Sequence, residues 1–391
     1  MTRTLLLTGI GELTTHAPGE PRLRDAAMII AGDRIAWIGQ AADAPAADES
    51  VSLEGRAVLP GWVDSHTHMV FAGDRSAEFE ARMAGQKYAA GGIATTVRAT
   101  RAASEAELTA TLARLRAEAL RQGTTFIETK TGYGLDVASE EASARIAAAE
   151  ADVVTFLGAH VVPEGVDART YLDLVTGPML DAVAPWVQFI DVFCERGAFD
   201  VDQSREVLEA GRRAGLGLRV HGNQLGHGSG VALAVELGAA SVDHCNALTD
   251  ADIDALAASD TVATVLPACD LSTREPLAPA RRLWDAGATV AIATNCNPGT
   301  SYTTSMPYCV ATAVLQMHLT IEEAVWAATR GGAIALGVAD TADAVGMLRV
   351  GGRADLQVLD APSISHLAYR PGVPLTAAVW RAGERVPPGA L

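Results

Sequence analysis

Leu59-Pro60-Gly61-Trp62-Val63-Asp64-Ser65-His66-Thr67-His68 is a short apolar segment that runs into a His-x-His pair. The apolar part has the composition of a buried strand. The histidines stand two apart, so on a strand both project to one face. Two neutral imidazoles so placed can share one ion, as borderline ligands suited to zinc or iron. A lone pair of this kind reads more simply as two satisfied polar side chains, so its setting has to decide. The chain has nine histidines, and His66, His68, His160, His221 and His244 all fall where an apolar segment ends.

Eight such segments occur, at 61–68, 124–130, 153–160, 187–195, 216–224, 240–244, 261–267 and 289–295. Ala/Leu/Glu/Arg-rich stretches with helical texture separate them, among them 105–122, 138–149, 202–214 and 230–237. Near-continuous apolar strands alternating with helices suit a parallel sheet covered by helices, and eight units suggest a closed (β/α)₈ barrel of the TIM type. An open doubly wound sheet is the alternative, but no GxGxxG follows the first strand. In a barrel the strand ends meet at one mouth, where active sites are built. His66 and His68 would then share an ion with His221, and His244 would stand beside it. Lys130 and Glu128, at the end of the second strand, would either face that mouth or pair inside the barrel.

The two chain ends read differently. Short strands punctuated by Gly and Pro are expected at 3–7, 27–30, 34–38 and 57–59, and again at 356–359. Neither end buries much alone. The expected division is therefore an α/β chain with a hydrolase barrel at 61–345 and a small composite β-sandwich from 1–60 and 346–391.

Composition narrows the function classes. Of 391 residues, 49% are hydrophobic and 20% charged, and the formal net charge is -17. Such acidity argues against a nucleic-acid partner, which needs a basic surface, and against a polybasic membrane helix. No apolar stretch approaches the ~18 residues that a membrane span needs. The five cysteines show no CxxC spacing. They fit reduced thiols, and with no signal-peptide pattern at the start they imply a cytoplasmic protein.

Several motifs together resemble one family. The run PGWVDSHTH is similar to the first-strand signature of the amidohydrolase superfamily. The runs FAGDRSAEFEARMAG, YAAGGIATTVRATRAAS, TKTGYGLDVASE, TFLGAHVVPE, DVFCERGAF and NPGTS resemble the imidazolonepropionases of histidine degradation. The likeness spans most of 57–360. It implies metal ligation by His66, His68 and His221, and catalysis by His244 with Gln224. It further implies substrate binding by Arg75, Tyr133, His160, Gln224, Asn297, Gly299 and Thr300. A guanidinium such as Arg75 can grip a carboxylate with two prongs, and the substrate would carry a propionate.

The resemblance has one departure. Its pattern places a metal-binding Asp at the end of the eighth strand, where this chain has Asn295. A neutral amide offers a weak carbonyl ligand and cannot act as a base. A natural variant relying on His244, an inactivating substitution and altered chemistry all remain open. The two-metal members of the superfamily this chain resembles bridge their ions with a Lys on the fourth strand. This chain has none there, so the resemblance implies a single divalent or trivalent ion, zinc or iron. The implied reaction is hydrolytic opening of 4-imidazolone-5-propanoate to N-formimidoyl-L-glutamate. The rivals are a ring deaminase of the same superfamily and an Asn295-impaired ligand-binding protein. A homodimer is the assembly to expect.

Overall fold

The computed structural model describes residues 3–85 and 92–387. Two compact units divide the chain. One takes the chain up to Asp64, Ala117–Phe126 and everything from Ser305 onward; the other takes Ser65–Arg116 and Ile127–Thr304.

The chain ends build one mixed sheet from β1 (Thr4–Ala17), β2 (Glu20–Ala31), β3 (Arg34–Gln40), β4 (Glu49–Ser52) and β5 (Ala57–Pro60), completed by three C-terminal strands. Its spine is a long antiparallel β1–β2 hairpin. The sequence marked only fragments of that hairpin, because charged residues interrupt its apolar pattern. Inside the sheet those charges are partners: Glu12 stands opposite Arg24 in register, with Arg24 Nη2 3.0 Å from its carboxylate. Leu7, Ile10, Leu13, Met28, Val58, Leu356 and Trp380 fill the core beneath.

Eight parallel strands follow, buried throughout except at Gly217: β6 (Trp62–Asp64), β7 (Thr124–Lys130), β8 (Val153–Ala159), β9 (Phe189–Cys194), β10 (Gly217–Gly222), β11 (Ser241–His244), β12 (Val262–Val265) and β13 (Val290–Ile292). They pair in chain order, and the ring closes beyond β6 and β13. There Thr67 bridges Cys296, Asn295 N–H donates to His66 O at 2.9 Å, and His68 N–H donates to Cys296 O at 2.9 Å. The His-x-His pair therefore lies in the closing seam, just past the regular strand on which the sequence had placed it. Three further strands, β14 (Leu356–Leu359), β15 (Thr376–Arg381) and β16 (Glu384–Arg385), complete the terminal sheet; the last two were not expected.

The four expected helices form within a residue of their expected bounds: Glu105–Arg121, Val137–Glu150, Val201–Arg213 and Gly230–Glu236. Val201–Arg213 shows why. Asp200 and Gln203 make a reciprocal capping box at its start, and Val207, Leu208 and Gly211 turn inward. A Cβ on Gly211 would sit 2.1 Å from Ile190 Cγ2, so only glycine lets this helix lie so close to β9. None of the described helices is long and apolar enough to cross a membrane.

Candidate metal centre and substrate cavity

The strand ends of the barrel surround a cavity lined by His68, Arg75, Ile93, Tyr133, His160, Phe193, His221, Gln224, His244, Asn295, Asn297 and Thr300. Ten of the residues singled out in the sequence thus come from separate strand ends to one place. The backbone at these ends is unusual. Asn223, His244, Cys245 and Asn295 all adopt positive φ, between 53° and 85°. Such left-handed conformations are uncommon for residues other than glycine, and strain of this kind concentrates at functional sites.

His66 sits beneath the cavity with its Nε2 directed at the other rings. His68 Nε2 lies 3.2 Å from His66 Nε2 and 3.4 Å from His221 Nε2. The Nδ1–H of His66 donates to Asp243 Oδ2 at 2.7 Å, and that of His221 to Asp191 Oδ1 at 3.1 Å. A neutral imidazole protonated at Nδ1 carries a lone pair at Nε2, so lone pairs from His66 and His221 face one point. Burial lowers His66 to about 3 and drives His68 and His244 well below the ordinary histidine range. Converging Nε2 lone pairs on His66 and His221, each ring aimed by a carboxylate at its Nδ1, fit the donor set of a metal centre. His66, His221 and His244 also bring ring nitrogens within 4.8 Å of one another, so His244 stands within ligand range as well. Asn295 Oδ1 is buried and has no hydrogen-bond partner among the described residues, which leaves it open to an ion or a water.

A fully buried charge network underlies this centre. Lys130 Nζ lies 2.9 Å from Glu128, 3.0 Å from Asp191 and 3.8 Å from Asp243. Arg219 Nη2 lies 3.2 Å from Asp243 Oδ2 and donates to Ser65 O at 2.8 Å. Burial alone would raise both aspartates. His221 and Lys130 hold Asp191 below the usual carboxylate range, and Arg219 and His66 hold Asp243 there. The pairing inside the barrel is therefore what Lys130 and Glu128 do. The sequence reading passed over Asp191, Arg219 and Asp243, although charges inside otherwise apolar strands are a legible signal.

Loops place the remaining side chains. Glu140, fully buried at the start of helix Val137–Glu150, accepts from the N–H groups of Gly132, Gly134 and Leu135 at 2.7–3.0 Å. That folds the loop holding Tyr133, whose ring centroid is 5.5 Å from that of His160. His160 Nδ1–H donates to Gly132 O at 2.9 Å, and burial lowers its pKa to about 4. Its Nε2 is thus an acceptor in the cavity. Glu195 Oε2 accepts from the N–H groups of Gln224 and Leu225 at 2.9 and 3.0 Å, fixing the backbone at Gln224. Neither Glu140 nor Glu195 was singled out from sequence, because each acts on backbone that only the folded loops bring near.

The loop after β13 is held from within. Asn297 Oδ1 accepts from Gly299 and Thr300 N–H at 2.8 Å, while its Nδ2 donates to Asn295 O at 2.7 Å. Arg75, just beyond the first strand, is buried and paired with Glu78. All five cysteines are buried and free. Burial pushes the Cys269 thiol, 4.0 Å from Gln224 Nε2, up to about 12, so it is a neutral neighbour of the cavity.

Known proteins align with this arrangement. The amidohydrolase family profile matches residues 57–386. An imidazolonepropionase of Saccharopolyspora erythraea is 68% identical over 386 residues, covering 99% of each chain. Another, from Paenarthrobacter aurescens, is 64% identical and covers 97% of this chain and 98% of its own. Among solved structures, atrazine chlorohydrolase from Arthrobacter aurescens complexed with zinc superposes with a TM-score of 0.72 at 17% identity, over 97% of this chain and 94% of its own; at that identity the fold alone is shared. The chain belongs to the amidohydrolase family and, within it, to the imidazolonepropionases.

Proposed function

We propose that this protein is a metal-dependent hydrolase that opens the ring of 4-imidazolone-5-propanoate to N-formimidoyl-L-glutamate in histidine degradation. The observation that carries the proposal is the placement of His68 Nε2 3.2 Å from His66 Nε2 and 3.4 Å from His221 Nε2, at the base of the cavity that Arg75 also lines. His66, His68 and His221 would hold a single ion, zinc or iron, with the Asn295 carbonyl oxygen as a weak further donor. Such an ion supplies the Lewis acidity that makes water nucleophilic at neutral pH.

The protein's own groups do the rest. Neutral His244 faces the reacting carbonyl, where it stabilises the developing oxyanion and relays the proton that Asn295 cannot take. Arg75 and Tyr133 hold the propionate. The His160 Nε2 acceptor and the Gln224 amide orient the imidazolone ring by its N–H and carbonyl groups. Asn297, Gly299 and Thr300 form the wall against which substrate lies. Residues 61–345 form the hydrolase barrel and residues 1–60 with 346–391 its companion β domain, in a cytoplasmic homodimer.

Turnover of imidazolonepropionate, measured beside metal content, tests this. The protein should open the ring, and His244→Gln should lower kcat by roughly 10²- to 10⁴-fold with metal retained. Ring opening by neither this chain nor its Asn295→Asp variant, while both carry metal, would overturn the proposal.

A further inference from the structure

Beside the cavity, Arg75, Glu78 and Arg82 form a short chain of charges. Arg75 Nε donates to Glu78 Oε2 at 2.9 Å and Arg75 Nη2 to Glu78 Oε1 at 2.7 Å. Arg82 Nη1 donates to the same Oε1 at 3.1 Å, and its Nη2 donates to Gly299 O at 2.7 Å. Arg75 is 6% exposed and Arg82 3%, so neither charge is well screened by water.

Two consequences follow for a ligand carboxylate. Glu78 takes the Nε/Nη2 edge of Arg75 in a two-pronged pair, which leaves the Nη1 side for any second carboxylate. That side passes close to Gly299, where a Cβ would lie 2.1 Å from Arg75 Nη1, and a Cβ on Gly92 would lie 2.1 Å from Nη2. The guanidinium thus rests in a slot between two glycines. The charges matter as much. Arg75 with Glu78 alone is a neutral pair and offers little to an incoming anion. Arg82 shares the Glu78 carboxylate with Arg75, so that carboxylate does not answer Arg75 alone.

We propose that Arg82 is a positioning residue for substrate selectivity: through Glu78 and Gly299 it keeps Arg75 oriented and electrostatically available to a propionate. Arg82 does not line the cavity itself. The inference rests on the ring-opening function proposed above, because it takes Arg75 as the propionate anchor.

The test compares binding of imidazole-4-propionate and 4-ethylimidazole to the metal-loaded enzyme by calorimetry, together with KM and kcat for the substrate. The parent should prefer the carboxylate-bearing probe. Arg82→Met should reduce that preference roughly tenfold, a loss on the scale of one hydrogen bond to a charged group. It should also raise KM by a similar factor while kcat moves less, and Arg82→Lys should restore part of the preference. If Arg82→Met does not fold, Arg82→Gln, which keeps a donor for Gly299 O but no charge, should show the same loss. An intact preference in the folded uncharged variant overturns this inference alone. A parent enzyme with no preference for the carboxylate overturns the propionate assignment, and this inference with it.

Discussion

Lys130 is fully buried, with Glu128, Asp191 and Asp243 as its counter-ions. Two of those acids aim the Nδ1 protons of His221 and His66, so one ammonium steadies two candidate metal ligands at once. Replacing it leaves three buried carboxylates short of a cation, with Arg219 beside Asp243. Lys130→Met should therefore cost about 3–5 kcal/mol in denaturant unfolding, the usual penalty for breaking a buried ion pair from one side. Chelator competition should show a 10- to 100-fold weaker metal site as the aspartates lose their fixed positions. Unchanged stability and metal affinity would show that the network is dispensable.

At the scale of elements, buried acids set the loops between the strands. Glu140 shapes the loop after β7, Glu195 the loop after β10, and Asp270 the segment after β12. Asp270 accepts from Ala278 N–H at 3.1 Å, and burial pushes its carboxyl up to about 7 against a reference value of 3.8. Its folded state holds a proton that the unfolded chain releases. The stability it contributes is thus complete below pH ~3.8 and is lost as pH rises through about 7. Asp270→Asn fixes the neutral state, so the variant should gain on the parent in thermal midpoint between pH 5.5 and 7.5. A constant difference between the two proteins over that range would remove the assignment.

For the whole molecule the candidate metal-site histidines work in the opposite direction. His66 is lowered from 6.5 to about 3 by burial, so the unfolded chain takes up the proton first. Stability from this group is complete above pH ~6.5 and is lost as pH falls from there toward 3. The metal-free protein should accordingly lose thermal stability below pH 6.5. At pH 7.5, saturating zinc should raise the midpoint, since ligand at a hundred times its Kd contributes about 2.7 kcal/mol. Identical melting with and without zinc, beside excess chelator, would contradict a site built on these rings.

Much of this was legible in the chain. Eight apolar segments with intervening helices gave the barrel, because buried parallel strands need continuous apolar residues, and the strand ends gave His66, His68, His160, His221 and His244. The β1–β2 hairpin was under-read because its charges are satisfied across strands rather than along the chain. Tertiary structure alone decided how the rings are oriented. The hydrogen bonds that His221 and His66 donate to Asp191 and Asp243, turning both rings toward one point, join residues 30 and 177 positions apart. The same holds for Arg82, which reaches Gly299 across 217 positions. The His-x-His motif fixed where a metal could bind, since ligand chemistry is local to the residue type. Which nitrogen faces the ion, and which charges stand behind it, depend on contacts that form only when distant strands close into a ring.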